Sequence, residues 1–301
     1  MLVHCGNQLS YYLVILIKDS LLVIDKENIF YYSIIKLRGN MAKSAKYISR
    51  PADSNGYIDW SDEENTIWNE LITRQLKVVE GKACDEFVEG LKLLDLPLNK
   101  IPQLPEVSKV LKQTTGWQCE PVDALIGFGE FFRLLSERKF PVATFIRNRD
   151  EFDYLQEPDI FHEIFGHCPL LTNPSFADYT QAYGIMGLNA SKEQRVFLAR
   201  LYWFTVEFGL LDTPEGYKLY GGGILSSPKE TEHAITGNKV KREPLDVLEV
   251  LRTPYRIDII QPIYYTLKKV NNLDDIRKHE VSEIMSFIEK AKTLGLHQPM
   301  Y

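Results

Sequence analysis

Cysteine is scarce in this chain. Four occur among 301 residues, at positions 5, 84, 119 and 168, and none forms a CxxC pair. That scatter suits reduced thiols in the cytoplasm better than a disulfide framework. Cys168 adjoins His167, but a small buried residue is its ordinary role. Long apolar runs are missing too. The greasiest stretch, Leu9 to Ile24, is broken by Lys18 and Asp19, so no membrane-spanning helix is expected. No positive segment precedes that stretch and no small-residue cleavage site follows it, so it does not read as a secretory signal. Basic clusters are absent and the formal net charge is −6, which argues against a nucleic-acid partner. The glycines of Tyr220 to Ser227 lack the G-x-x-x-x-G-K-[ST] order of a phosphate loop, although such a turn can bring backbone close to a ligand. Neither an internal repeat nor a low-complexity tract is present.

What remains is an ordinary globular composition, 45% hydrophobic and 25% charged, enough for one large core or two small ones. Residues 1–40 stand apart. Three β-rich runs there could form a small meander; alternatively Met41, which begins a polar, start-like segment, is the initiator and residues 41–301 are the catalytic domain. From Ala42 to about Ile58 an extended arm is expected. Ser61 to Glu64 has capping-box composition before an amphipathic helix over Asn65–Glu80. Further helices are expected at Asp85–Leu93, Glu106–Thr115 and Glu130–Glu137, then a β-rich run at Phe140–Ile146. Asn173 caps a helix through Tyr183. Another begins at Ser191 and carries an apolar face to Leu211; short helices follow at Pro244–Arg252 and Asp274–Leu294. The last is too short for a coiled-coil arm. The fold class is mainly α with a few short β-strands.

The segment Glu157 to Pro169, E-P-D-I-F-H-E-I-F-G-H-C-P, holds two of the six histidines. Pro158 suits the first turn of a helix, Asp159 complements its positive end, and Gly166 is expected to close it in a left-handed conformation, with Pro169 preventing a restart. His162 and His167 are five residues apart, not four as in H-E-x-x-H. On a regular helix that turns them about 140° from one another, so a shared ion requires the chain to unwind at Gly166. Two histidines leave coordination positions open.

A third donor is found in R-L-Y-W-F-T-V-E-F-G-L-L. Glu207 sits among apolar and aromatic residues, where an unpaired carboxylate costs several kcal/mol. A divalent cation shared with the histidines would resolve that conflict; the other resolution is a hydrogen-bonded or protonated core glutamate. Two histidines and one carboxylate are the set of non-haem Fe(II) oxygen chemistry. Zinc also accepts His₂Glu, and with Glu163 as base a zinc hydrolase is a second reading. Arg147, first of the R-N-R that ends the β-rich run, is a fork for a carboxylate, or simply a member of a surface salt bridge. The loop Gly116 to Gly129 offers backbone amides and Phe128 to a flat heterocycle, or is merely a buried connection.

Together, P-D-I-F-H-E-I-F-G-H-C-P-L and L-Y-W-F-T-V-E-F-G-L resemble the tetrahydropterin-dependent aromatic amino acid hydroxylases, bacterial phenylalanine 4-hydroxylases in particular. The likeness runs from about Asp53 to Gln261. It implies a mostly helical catalytic domain that uses Fe(II), a tetrahydropterin and O₂ to convert L-phenylalanine to L-tyrosine, with tryptophan hydroxylation the nearest alternative. It implies iron ligation by His162, His167 and Glu207, a substrate carboxylate held by Arg147, and an aromatic pocket lined by Pro158 and Trp203. Ser226 would lie near the substrate and support a ligand histidine. Val122, Ala124, Leu125, Ile126, Phe128 and Phe131 would bind the pterin, and Glu163 and Tyr202 would have catalytic roles on the pterin side. Neither the regulatory domain nor the tetramerisation helix of animal members is recognisable, so phenylalanine-driven activation is not expected and a monomer or small homo-oligomer is. Tyr154-Leu155-Gln156 looks bacterial. The arginine that pairs with the acid corresponding to Glu157 in animal members has no evident counterpart.

Overall fold

The computed structural model describes residues 13–17, 20–25, 28–33, 47, 49–123, 126–153, 155 and 157–301. Two units are distinguished, residues 1–46 and 47–301. The first contains the antiparallel meander β1 (Leu13–Ile17), β2 (Ser20–Asp25) and β3 (Asn28–Ser33), pairing in chain order. Met41 lies outside the described residues.

The second unit is mainly helical. Helix α1 (Asp62–Val79) starts three residues earlier than its apolar periodicity suggested, because the Ser61/Glu64 capping box closes its first turn. Helices α2 (Asp85–Leu94) and α3 (Leu104–Thr114) follow as expected to within two residues. The loop expected from Gly116 is instead opened by a strand, β4 (Gln118–Val122), paired in parallel with β5 (Lys139–Ala143) across α4 (Phe128–Ser136). With Pro121 and Glu120 inside it, β4 carries little strand propensity, and only its partner strand makes it one.

The middle of the chain packs α5 (Cys168–Leu171), α6 (Pro174–Asn189) and α7 (Lys192–Tyr202). Both expected caps are present: Asn173 accepts from Phe176 N–H, and Ser191 pairs reciprocally with Gln194. The apolar run after Tyr202 does not continue as a helix to Leu211. It ends at Phe208 and becomes β6 (Leu210–Thr213), which pairs with β7 (Gly216–Leu219). After α8 (Gly222–Leu225) and α9 (Pro228–Thr236), strand β8 (Lys241–Pro244), helix α10 (Val247–Arg252) and strand β9 (Ile263–Leu267) complete a sheet of order β7-β6-β9-β8. Every residue of β9 is buried, in keeping with its β-branched and aromatic sequence I-Y-Y-T-L. The expected tail helix is two, α11 (Leu273–Arg277) and α12 (Val281–Leu294), the second begun by a new capping box at Glu280/Glu283. No described helix is long and apolar enough to cross a membrane.

The core is rich in aromatics: Trp68, Trp117, Phe87, Phe161 and Phe165 are all fully buried. Phe161 and Phe165 stack at 5.2 Å on the helix that carries the two histidines, so that helix is anchored on its core side by rings.

Candidate metal centre

Residues 160–171 form one continuous helix whose central portion, His162–His167, is π-helical. This corrects the expectation of a helix closed at Gly166. Gly166 is not among the positive-φ residues, and Pro169 sits near the start of α5 rather than blocking it. The mismatch of a five-residue spacing is resolved by widening the helix: i→i+5 hydrogen bonding brings residues five apart to the same side. Glycine is needed at 166 for another reason. A Cβ there would come within 2.7 Å of Gly222 O, and a Cβ on Gly222 would lie 2.4–2.7 Å from the His167 ring. Both glycines let α8 press against the π turn and the His167 ring.

Pro158 also lies outside the helix rather than in its first turn. The helix begins at Ile160, and Asp159 is its N-cap: Asp159 Oδ1 accepts the N–H of His162 at 3.0 Å, and its carbonyl accepts that of Glu163 at 3.0 Å. Asp159 is fully buried and its carboxylate also accepts from Arg147 Nε, Nη2 and backbone N at 2.8, 2.9 and 2.9 Å. Burial alone would raise the Asp159 carboxyl, but the Arg147 charge and these hydrogen bonds outweigh it and hold it low. The Arg147 fork is therefore taken by Asp159 through Nε and Nη2, and among the described residues none hydrogen-bonds its Nη1.

Glu207 ends a second π-helical turn, Trp203–Glu207, which closes through Phe208 N–H to Trp203 O at 2.8 Å. The two π turns meet. His162 Nε2 and His167 Nε2 are 3.0 Å apart, and Glu207 Oε2 lies 3.6 Å from the first and 3.3 Å from the second. Donors about 2.1 Å from a shared cation are separated by roughly 3.0 Å at right angles and roughly 3.4 Å at tetrahedral angles. The triangle fits an ion held by three protein ligands.

Protonation agrees. Ser226 Oγ donates its proton to Gly222 O at 2.8 Å, so the 2.9 Å contact between Ser226 Oγ and His162 Nδ1 has the ring as donor. His162 Nε2 then presents a lone pair to the cluster. Burial, helped by His167, lowers this imidazole to about 4 against the pull of Glu207, keeping it neutral. For Glu207, burial works upward, but His167, His162 and the Gly223 N–H prevail and keep it ionised. Glu163, on the same π turn, offers an oxygen within 4.8 Å of the imidazole donors. Burial first, then Glu207 and Asp159, push its carboxyl well above the usual range. Of the two carboxylates Glu207 is the better ligand, being both nearer and ionised.

Around this cluster, Phe131 and Tyr202 meet edge to face at 5.3 Å, and Tyr202 packs on Tyr183 at 5.0 Å. Burial and the nearby Glu207 and Glu163 hold the Tyr202 phenol protonated. Val122 ends β4, Ile126 is half-buried, and Phe128 is 57% exposed at the start of α4. Ala124 and Leu125 lie outside the described residues, as do Tyr154 and Gln156. Trp203 packs against Phe208 and Tyr255, each at 4.4 Å. Glu157 has no ion-pair partner among the described residues. Sequence reasoning missed the double duty of Asp159, although D-x-x-H has N-cap to N3 spacing. It also missed Gln261, which carries no local signal; Gly222 falls in the glycine turn expected to bring backbone close to a ligand.

The description "biopterin-dependent aromatic amino acid hydroxylase" matches residues 30–294. A phenylalanine-4-hydroxylase of Pseudomonas aeruginosa is 54% identical, over 86% of this chain and 97% of its own length. The solved cold-active phenylalanine hydroxylase of Colwellia psychrerythraea 34H is 69% identical, with a TM-score of 0.83 over 84% of this chain and 97% of that one. The phenylalanine hydroxylase of Chromobacterium violaceum, solved with iron(III) and oxidised 7,8-dihydrobiopterin, is 37% identical, with a TM-score of 0.75 over 82% of this chain and 90% of that one. With this match over most of its length, the chain belongs to the biopterin-dependent aromatic amino acid hydroxylases.

Proposed function

We propose that this protein is an iron-dependent monooxygenase that hydroxylates L-phenylalanine to L-tyrosine with O₂ and a tetrahydropterin. The observation that carries the reading is the triangle of His162, His167 and Glu207, no side longer than 3.6 Å, in a chain of this family. Tryptophan hydroxylation and zinc hydrolysis find no support among the relatives.

His162, His167 and Glu207 would hold the iron, which together with the reduced pterin supplies the activation of O₂. Ser226 fixes the tautomer of His162, and Asp159 fixes the helix turn on which that ring is mounted. The Nη1 edge of Arg147 receives the amino acid carboxylate, already oriented by the Asp159 pair. Trp203 and Pro158 line the space for the ring and exclude water from it. On the other side, Phe131, Phe128, Tyr202 and the segment Val122 to Ile126, including Ala124 and Leu125, receive the pterin. A protonated Glu163 faces it as a hydrogen-bond donor. The scattered reduced cysteines favour a cytoplasmic site of action, and a monomer or small homo-oligomer suffices.

The deciding assay supplies purified protein with Fe(II), a tetrahydropterin and each aromatic amino acid, and scores hydroxylated product. Tyrosine from phenylalanine is expected. Glu207→Ala should lose most bound iron and essentially all hydroxylation, whereas full activity in that variant refutes the ligand assignment.

A further inference from the structure

Gln261 is 1% exposed, lies just before β9, and has each of its polar groups engaged. Its backbone N–H donates to Glu230 Oε1 at 3.1 Å, and its carbonyl accepts from His233 Nε2 at 3.2 Å. The side-chain Nε2 donates to the carbonyls of Arg256 and Ile259 at 2.8 and 2.9 Å, while Oε1 accepts the indole N–H of Trp203 at 3.0 Å. This wiring admits only one orientation of the amide. Reversed, it would set NH₂ against N–H and oxygen against two carbonyls. Glu230 is itself held by the hydroxyl of Tyr264 on β9. Trp203 is thus gripped by Phe208 and Tyr255 against its ring system and by Gln261 at its N–H edge.

We infer that Gln261, anchored by Glu230 and Tyr264, is a positioning residue that sets the orientation of the Trp203 indole and thereby the choice of aromatic substrate. The inference rests on Trp203 lining the ring pocket. An indole clamped by two rings can still pivot within their grip. The hydrogen bond removes that freedom, and a wall that cannot pivot discriminates a phenyl from an indole side chain more sharply than one that can. Gln261 touches neither ligands nor pterin-side residues in the described contacts, so its effect should be confined to the amino acid.

The test uses the full-length iron-loaded enzyme and four proteins: wild type, Gln261→Met, Trp203→Phe and the double variant. Removing the acceptor should raise the KM for phenylalanine about 3- to 10-fold and lower the phenylalanine-to-tryptophan ratio of kcat/KM by a similar factor, with the tetrahydropterin KM unchanged. In the Trp203→Phe background, which has no N–H to hold, the same substitution should change these values less than about twofold. Should Gln261→Met fail to fold, Gln261→Asn withdraws the acceptor by one methylene and carries the same expectation. Equal shifts in both KM values, a fall in thermal midpoint with an unaltered ratio, or full effect without the indole N–H would each overturn the inference. If Trp203→Phe alone leaves phenylalanine KM and ratio untouched, the pocket reading fails first and takes this inference with it.

Discussion

Arg147 and Asp159 face one another through a bidentate pair of N–H···O contacts, Nε to Oδ2 at 2.8 Å and Nη2 to Oδ1 at 2.9 Å, with side chains 7% and 0% exposed. The same carboxylate caps the helix that bears His162. One buried acid therefore ties the arginine assigned to the substrate to the turn assigned to the metal.

Breaking such a pair from one end leaves a cation buried without its counter-charge. Asp159→Asn keeps the shape and a cap acceptor but not the charge, and should lower the unfolding free energy by about 3–5 kcal/mol. Urea unfolding of the metal-free protein measures it. A loss under about 1 kcal/mol would mean that water or another group compensates Arg147.

The Ser226 hydroxyl is the acceptor that keeps the His162 proton on Nδ1. Ser226→Ala should weaken Fe(II) binding about 10- to 100-fold, measured by competition with a chelator. Ser226→Thr should restore most of it. Unaltered affinity in Ser226→Ala would show that the ring is oriented by packing alone.

Glu230 gives a pH signature. Burial lifts its carboxyl to about 7, while Tyr264 and the Gln261 N–H pull the other way. In the unfolded chain it titrates near about 4.3. Between those values the folded protein holds a proton that the unfolded chain has released, so stability from this group is full below about pH 4.3 and declines as pH rises to about 7. Wild type should lose on the order of 1–3 kcal/mol more than Glu230→Gln between pH 5 and pH 8. Parallel stability curves for the two proteins would refute the raised carboxyl.

Much of the architecture was readable because its determinants are local. The capping boxes at Ser61 and Ser191 and the Asn173 cap were visible from residue order and are present. The three donors stood out because a glutamate inside Y-W-F-T-V-E-F-G-L and two closely spaced histidines are each anomalous alone. Strand β4 was not readable, since Glu120 and Pro121 discourage a strand until β5 supplies hydrogen bonds. Nor was the end of the helix at Phe208: the apolar run continues through Leu211, and only the pairing of β6 with β7 and β9 separates helix from strand.

By itself, the sequence determined which atoms could bind a cation and where the helices capped by Ser61, Asn173 and Ser191 begin, because residue type and near-neighbour spacing decide both. How donors five residues apart reach one point was decided only in three dimensions. There the helix widens into a π turn, and two bare glycines at 166 and 222 allow a neighbouring backbone to press against that turn and the His167 ring. The difference is one of range. A cap or an apolar stripe is completed within a few residues, whereas a π turn that opens a helix persists only when distant segments, here Glu207 and Ser226, hold what it presents.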